Sequence, residues 1–184
     1  LIKAREEFSG DQYSTYIGQI VETSDGRIAM VVGSRFIFVI DKDANPISLT
    51  EFPQDRSPSD FALIDDDTLR ITAWNWSDDE SKVDVIDFSL SKCEFKTIDS
   101  ISSYHNVQMA DDGTVYINDY STISRYDFDT KETIPLLDYI NSDINSDRLS
   151  SIYPAGNDEF YTFEYSADWE GRQLLHLTPA AKGD

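Results

Sequence analysis

The chain of 184 residues holds a single cysteine, Cys93, so it can form no internal disulfide and no cluster of thiolate ligands. Its two histidines, His105 and His176, stand far apart, and no Gly-x-Ser-x-Gly elbow is present, so no local pattern offers an activated nucleophile. Positive charge is scarce: Lys and Arg number 15 against 35 Asp and Glu, a formal net charge of −20. A surface that negative repels phosphate backbones and anionic headgroups, which argues against nucleic acid and peripheral membrane binding. No apolar run approaches the roughly 20 residues that cross a bilayer as a helix, so no direct membrane insertion is expected in this segment. No segment carries a convincing apolar stripe of helical period; the nearest, 134–144, contains Pro135 and turns polar after Ile140. A signal peptide is also missing. The chain opens on Leu1 rather than Met, however, which points to a stretch cut from a longer precursor, so the missing signal does not argue for the cytoplasm.

What the chain has in quantity is the aspartate-bearing turn followed by an alternating strand. The clearest copy is 111–120, where Asp112-Gly113 feeds a run with Val115 and Ile117 on one side and Tyr116, Asn118 and Tyr120 on the other. The turn aspartates Asp25, Asp66, Asp112 and Asp158 follow one another at 41, 46 and 46 residues. Third strands end alike, in Val39-Ile40-Asp41, Val85-Ile86-Asp87-Phe88 and Arg125-Tyr126-Asp127-Phe128. A period in the forties with four strands per period is a mark of propeller blades. The chain therefore reads as one all-β, β-propeller-like domain over 1–184, with repeats at about 16–52, 60–100, 104–140 and 149–179. Each repeat is expected to be an antiparallel four-stranded meander. The run Phe36-Ile37-Phe38-Val39-Ile40 has no polar side, which predicts a strand covered on both faces.

The fourth repeat lacks an outer strand, and 2–8 is a strand candidate without a sheet. Three arrangements stay open: a ring of four blades closed by 2–8, an arc of a larger propeller, or a two-sheet sandwich. Blades must pack face to face in either of the first two, because a lone twisted sheet buries too little apolar surface.

The turn entries, the blade-length spacing and the tail Leu174-Leu175-His176-Leu177-Thr178-Pro179-Ala180 resemble bacterial lipoproteins in which propeller-like repeats precede the solute-binding domain of an ABC importer. That resemblance implies an extracellular, membrane-anchored accessory module whose partners include other domains of the same precursor. It carries over no catalytic or ligand residue.

Among constellations that could carry chemistry, Asp41-Lys42-Asp43-Ala44-Asn45 begins like a calcium loop. Pro46 then stands where the loop needs glycine and Phe52 where it needs glutamate, so an ordinary Asx turn is expected and no metal or cofactor is assigned. The aspartates at 65–67 and 127–129 are read the same way. Aromatics offer more. Trp74 and Trp76 share one face of a strand, Trp76 adjoins the acidic loop with Asp78 and Asp79, and Trp169 follows Asp168 in the corresponding loop of the fourth repeat. Together with Tyr120 these would line one surface, since the loops between second and third strands gather on one side of a propeller. Aromatic planes beside carboxylates bind sugars and cationic amines. The candidate ligand residues are thus Trp76, Asp78, Asp79, Tyr120, Asp168 and Trp169. The plainer alternative is that Trp74 packs between blades while Trp76 and Trp169 cap sheet ends. The expected function is a non-catalytic extracellular interaction module that binds a glycan or small solute. A propeller glycoside hydrolase or lyase and a purely structural spacer are the alternatives.

Overall fold

The computed structural model of the chain describes residues 17–77, 82–102, 106–119, 121–138 and 152–179. The first sheet runs β1 (Ile17–Glu22), β2 (Ile28–Val32), β3 (Phe36–Ile40), β4 (Pro46–Glu51), each strand antiparallel to the next. The second is β5 (Arg56–Leu63), β6 (Thr68–Asn75), β7 (Lys82–Ser89), β8 (Glu94–Ser102). The third is β9 (Asn106–Met109), β10 (Val115–Asn118), β11 (Thr122–Asp127), β12 (Glu132–Asp138). The fourth holds β13 (Tyr153–Gly156), β14 (Glu159–Tyr165) and β15 (Arg172–Leu177). The chain is all-β, without a helix among the described residues, and its sheets are four blades of a β-propeller. First strands of successive blades touch: β1 meets β5, β5 meets β9, and β9 meets β13.

The repeat read from the turn aspartates is therefore real, and its strands fall close to their expected bounds. One difference, and one irregularity inside a strand that falls where expected, have local causes. The second blade begins at Arg56 rather than near Asp60, because a bulge between Pro58 and Asp60 lets the strand pass its proline without losing register beyond it. The stretch around Pro135 is the outer strand β12, where the partner strand shifts register between Ile123 and Ser124 beside the proline. The proposed closing strand, 2–8, lies outside the described residues.

Burial comes from the junctions between blades. Where the first two blades meet, Ala29, Val31, Ile37, Val39 and Phe52 pack with Phe61, Leu69, Ile71 and Phe88. The same cluster continues through the second blade to Val85, Val107 and Val115 of the next junction. A smaller cluster of Ala110, Tyr116, Ile123, Ile152, Phe160 and Leu177 joins the third blade to the fourth. The apolar run of β3 is covered on both faces as expected, with Ile37, Phe38 and Val39 all buried.

Turn chemistry fixes how blades meet. Gly113 has φ +82°, and a Cβ there would lie 2.1 Å from Ile64 Cδ1 of the preceding blade. Glycine is thus favoured at this turn by its backbone conformation, and any Cβ there would in addition displace the terminal methyl of Ile64, which is 37% exposed. Asp66 accepts hydrogen bonds across the first junction from the Ser24 N–H (3.0 Å) and Ser24 Oγ (2.6 Å). Arg27 of the first blade adds a 2.7 Å bond to the Asp66 carbonyl. At the third junction Asp158 accepts from Tyr116 Oη (3.2 Å) and Arg125 Nη1 (2.7 Å). The turn aspartate of one blade is seated on its predecessor.

Candidate functional site

The connection after the second strand of each blade opens on one face of a propeller, and two exposed tryptophans stand there. Trp76 follows β6, where its N–H donates to the Asp55 carbonyl at 2.8 Å. Its ring stacks on Trp74 with centroids 6.0 Å apart and planes inclined by 23°. Period-2 alternation makes this pair: residues 74 and 76 point the same way, Trp74 packs against the core, and Trp76 rests on it while 64% exposed. Trp74 is thus partly buried against the core, and Trp76 stands in solvent.

Trp169 occupies the matching connection between β14 and β15. Its backbone takes a positive φ of 62°, closing a turn in which its N–H donates to the Ser166 carbonyl at 2.9 Å. The ring is 61% exposed and backed by Tyr165, centroids 5.3 Å apart. Asp168 is committed to the same turn. It accepts from the Ser166 hydroxyl and from the Glu170 N–H, and these bonds, the hydroxyl first, lower its carboxyl from the ordinary value. The carboxylate thus braces the loop that presents the indole. Asp78, Asp79 and Tyr120 lie outside the described residues. The third blade contributes Asp119 to this region. Desolvation alone would raise its carboxyl, but hydrogen bonds from Ser121 and Thr122 outweigh it and hold the group down at about 2.

The aspartate loop at 41–45 is an Asx turn. Asp41 Oδ1 accepts from the N–H groups of Asp43 (2.9 Å) and Asn45 (2.8 Å), while Oδ2 accepts from Asn45 Nδ2 (2.9 Å). Both oxygens serve the loop itself. Among the 65–67 aspartates, Asp67 is likewise engaged by Ser89 and Ser91. No group of three or more His, Cys, Asp or Glu among the described residues is placed to hold a metal ion.

A groove not foreseen from the pattern lies between the second and third blades. It encloses about 260 Å³ against Arg70, Asp112, Gly113, Arg125, Tyr126 and Phe128. Both cations are already paired, Arg70 with Asp87 (2.9 Å) and Arg125 with Asp158 (2.7 Å). Arg70 also lies 5.1 Å over the Phe128 ring. Across the groove the second blade meets the third through Arg70 over Phe128, while Arg125 reaches on to the turn of the fourth. Its only signal in the sequence was arginine placed on strands of a strongly acidic chain.

No family model matches the chain, and no curated protein matches it either. Solved structures do. One is an oligogalacturonate lyase in complex with manganese, 11% identical, with a TM-score of 0.59 over 91% of this chain and 49% of that one. Another is an auxiliary nutrient binding protein from Bacteroides thetaiotaomicron VPI-5482, 14% identical, with a TM-score of 0.51 over 92% of this chain and 44% of that one. At such identities the likeness shows the propeller fold alone. The chain spans less than half the length of each of these neighbours. No similarity links it to ABC-importer lipoproteins. No helix among the described residues is long and apolar enough to cross a membrane.

Proposed function

We propose that this propeller is a non-catalytic, extracellular binding module whose ligand is a neutral glycan, gripped by stacking on Trp76 and Trp169. One observation carries the reading: each indole is more than half exposed yet backed by another aromatic ring, on equivalent connections of two blades. An unsupported tryptophan in solvent loses rotamer freedom when it stacks on a ligand. One already propped by Trp74 or Tyr165 loses less, which is the advantage of a preformed platform. The apolar faces of pyranose rings suit such planes, and nearby hydroxyl and carboxylate acceptors suit their hydroxyls.

Charge selects among sugars. The oligogalacturonate on which the lyase neighbour acts is a polyanion, and a chain of net charge −20 repels polyanions over roughly a Debye length, about 8 Å at physiological salt. Neutral oligosaccharides escape that penalty. The likeness to a nutrient-binding protein supports a role in recognition or uptake outside the cell, and attachment to other domains of one precursor fits such a role.

Titration of intrinsic tryptophan fluorescence with a panel of neutral oligosaccharides, with polygalacturonate as the anionic comparator, tests the reading. Saturable quenching by a neutral sugar is expected, at millimolar to micromolar dissociation constants, or about −4 to −8 kcal/mol. The double variant Trp76→Ala/Trp169→Ala should lose it while keeping its melting temperature. Unchanged affinity in that variant, or turnover of any sugar in the panel, would refute a non-catalytic stacking site.

A further inference from the structure

The four blades are repeats, so equivalent positions can be compared along the chain. In the second strand of each blade one residue points toward the following blade close to the aspartate turn: Ala29, Arg70, Tyr116 and Tyr161. Strand pairing sets Arg125 opposite Tyr116 and His176 opposite Tyr161. Two residues further along the second strand, the residue opposite on the third strand is Ile37, Val85, Ile123 or Leu174 in the four blades. Ile37, Val85 and Ile123 are buried to 1% exposure or less by the blade that follows, whereas Leu174 is 59% exposed. Tyr116 is 3% exposed and its counterpart Tyr161 38%. Tyr153 of β13 shares the open side, paired with Tyr161.

The polar part of each junction repeats as well. A cation on the earlier blade meets the first turn of the later one. Arg27 meets Asp66 and Asp67, Arg70 lines the groove beside Asp112 and Gly113, and Arg125 holds Asp158. His176 stands at the position of Arg125. Its ring stacks flat on Tyr161, centroids 4.6 Å apart and planes at 11°, and its Nε2 lies 3.1 Å from Glu159 of its own sheet. The face so formed is apolar in the middle and ends in a tyrosine–histidine pair where every earlier junction receives a turn.

We propose that this face of the fourth blade is the seat of a further propeller blade in the same polypeptide, docked with the carboxylate of its first hairpin turn on Tyr161 and His176 and with its apolar side on Leu174. A blade is the occupant because the three equivalent faces are each covered by one, and each covering blade is covalently next in the chain. A carboxylate at its turn follows from the groups that would receive it, a hydroxyl donor and an imidazole, matching the Tyr116–Arg125 pair that binds Asp158. In the two solved propellers described above, the matched stretch is likewise less than half of one longer chain.

The experiment uses the polypeptide as its native cell makes it. Diethylpyrocarbonate modification of His176, followed by mass spectrometry, should run at least about tenfold slower than for free N-acetylhistidine, since only the undocked fraction reacts. Leucine replaced globally by its diazirine analogue, an almost isosteric change, should on irradiation yield an adduct from position 174 to a strand of the same chain that belongs to none of the four blades described. Reaction of His176 within a few-fold of the free amino acid would overturn the proposal. So would an adduct from 174 to the first blade, which would close the ring at four, to a second copy, seen as a dimer of doubled mass, or to any segment that is not a blade. Loss of sugar binding leaves both readouts unaffected, so failure here and failure of the glycan reading are separable.

Discussion

The second and fourth blades start from the same aspartate turn and the same antiparallel meander, yet their fates differ. The second is gripped on both faces: Leu69, Ile71 and Phe88 look back to the first blade, Thr72 and Val85 forward to the third, and all are buried. It can therefore enclose a carboxylate. Asp84 is fully buried and accepts from Arg56 (2.6 Å), Asn75 (3.0 Å) and Ser100 (2.6 Å). The fourth blade buries only its backward side, through Phe160, Thr162 and Leu177, and leaves Tyr153, Tyr161 and Leu174 in solvent. What separates the two is not strand chemistry, which is aromatic and aliphatic in both. A blade face becomes core only when a neighbour lies on it.

The sharpest way to break this comparison is at the buried ion pair. Asp84→Ala strips the partner from Arg56 and leaves Asn75 and Ser100 donors unsatisfied, and should cost about 3–5 kcal/mol in chemical denaturation. A loss under about 1 kcal/mol would mean the second blade is not sealed as described. Next comes the matched pair on equivalent positions of the third and fourth blades. Ile123→Ala should destabilise by about 2–5 kcal/mol, whereas Leu174→Ala in this chain should stay within about 0.5 kcal/mol. Equal costs would show that the two faces are alike.

Gly113→Ala probes a turn rather than a face. Its positive φ and the Ile64 contact together predict a loss of about 1–3 kcal/mol. The melting temperature of that variant, compared with the same substitution at Gly156, which shares the positive φ (+86°) but has room for a Cβ, isolates the inter-blade contact.

The smallest effect concerns Asp60, on β5. Burial raises its carboxyl above the ordinary value, against a hydrogen bond from the Met109 N–H that lowers it. A raised folded value means that the native state holds its proton more tightly than the unfolded chain. Its contribution is full below the unfolded carboxylate range near pH 4 and is lost as pH rises through the folded value. Asp60→Asn should therefore match the parent in stability at about pH 3 and exceed it at pH 7. A constant difference across that range would show that Asp60 does not titrate as its burial implies.

Much of this architecture was legible because hairpin turns and strand alternation are local. Ser24-Asp25-Gly26 and Asp111-Asp112-Gly113 announce themselves within three residues, and their spacing fixed four blades of the right length. The groove at Arg70 and Arg125 was not legible, because its two cations come from blades 55 residues apart in the chain and look unremarkable singly. The candidate site was half legible. Alternation placed Trp74 and Trp76 on one face, but only the turn around Ser166 shows Asp168 bracing its loop and leaving Trp169 outward.

The amino-acid order by itself determined the repeat, the direction of each strand and the side to which every strand residue points, since each depends on backbone sterics over a few neighbours. Tertiary structure alone decided which of those sides is interior. Leu174 and Ile123 are equally greasy and stand at the same place in their blades, and only the body lying across Ile123 makes it core. Removal of apolar surface from water needs two surfaces, and the second one is supplied from elsewhere in the fold.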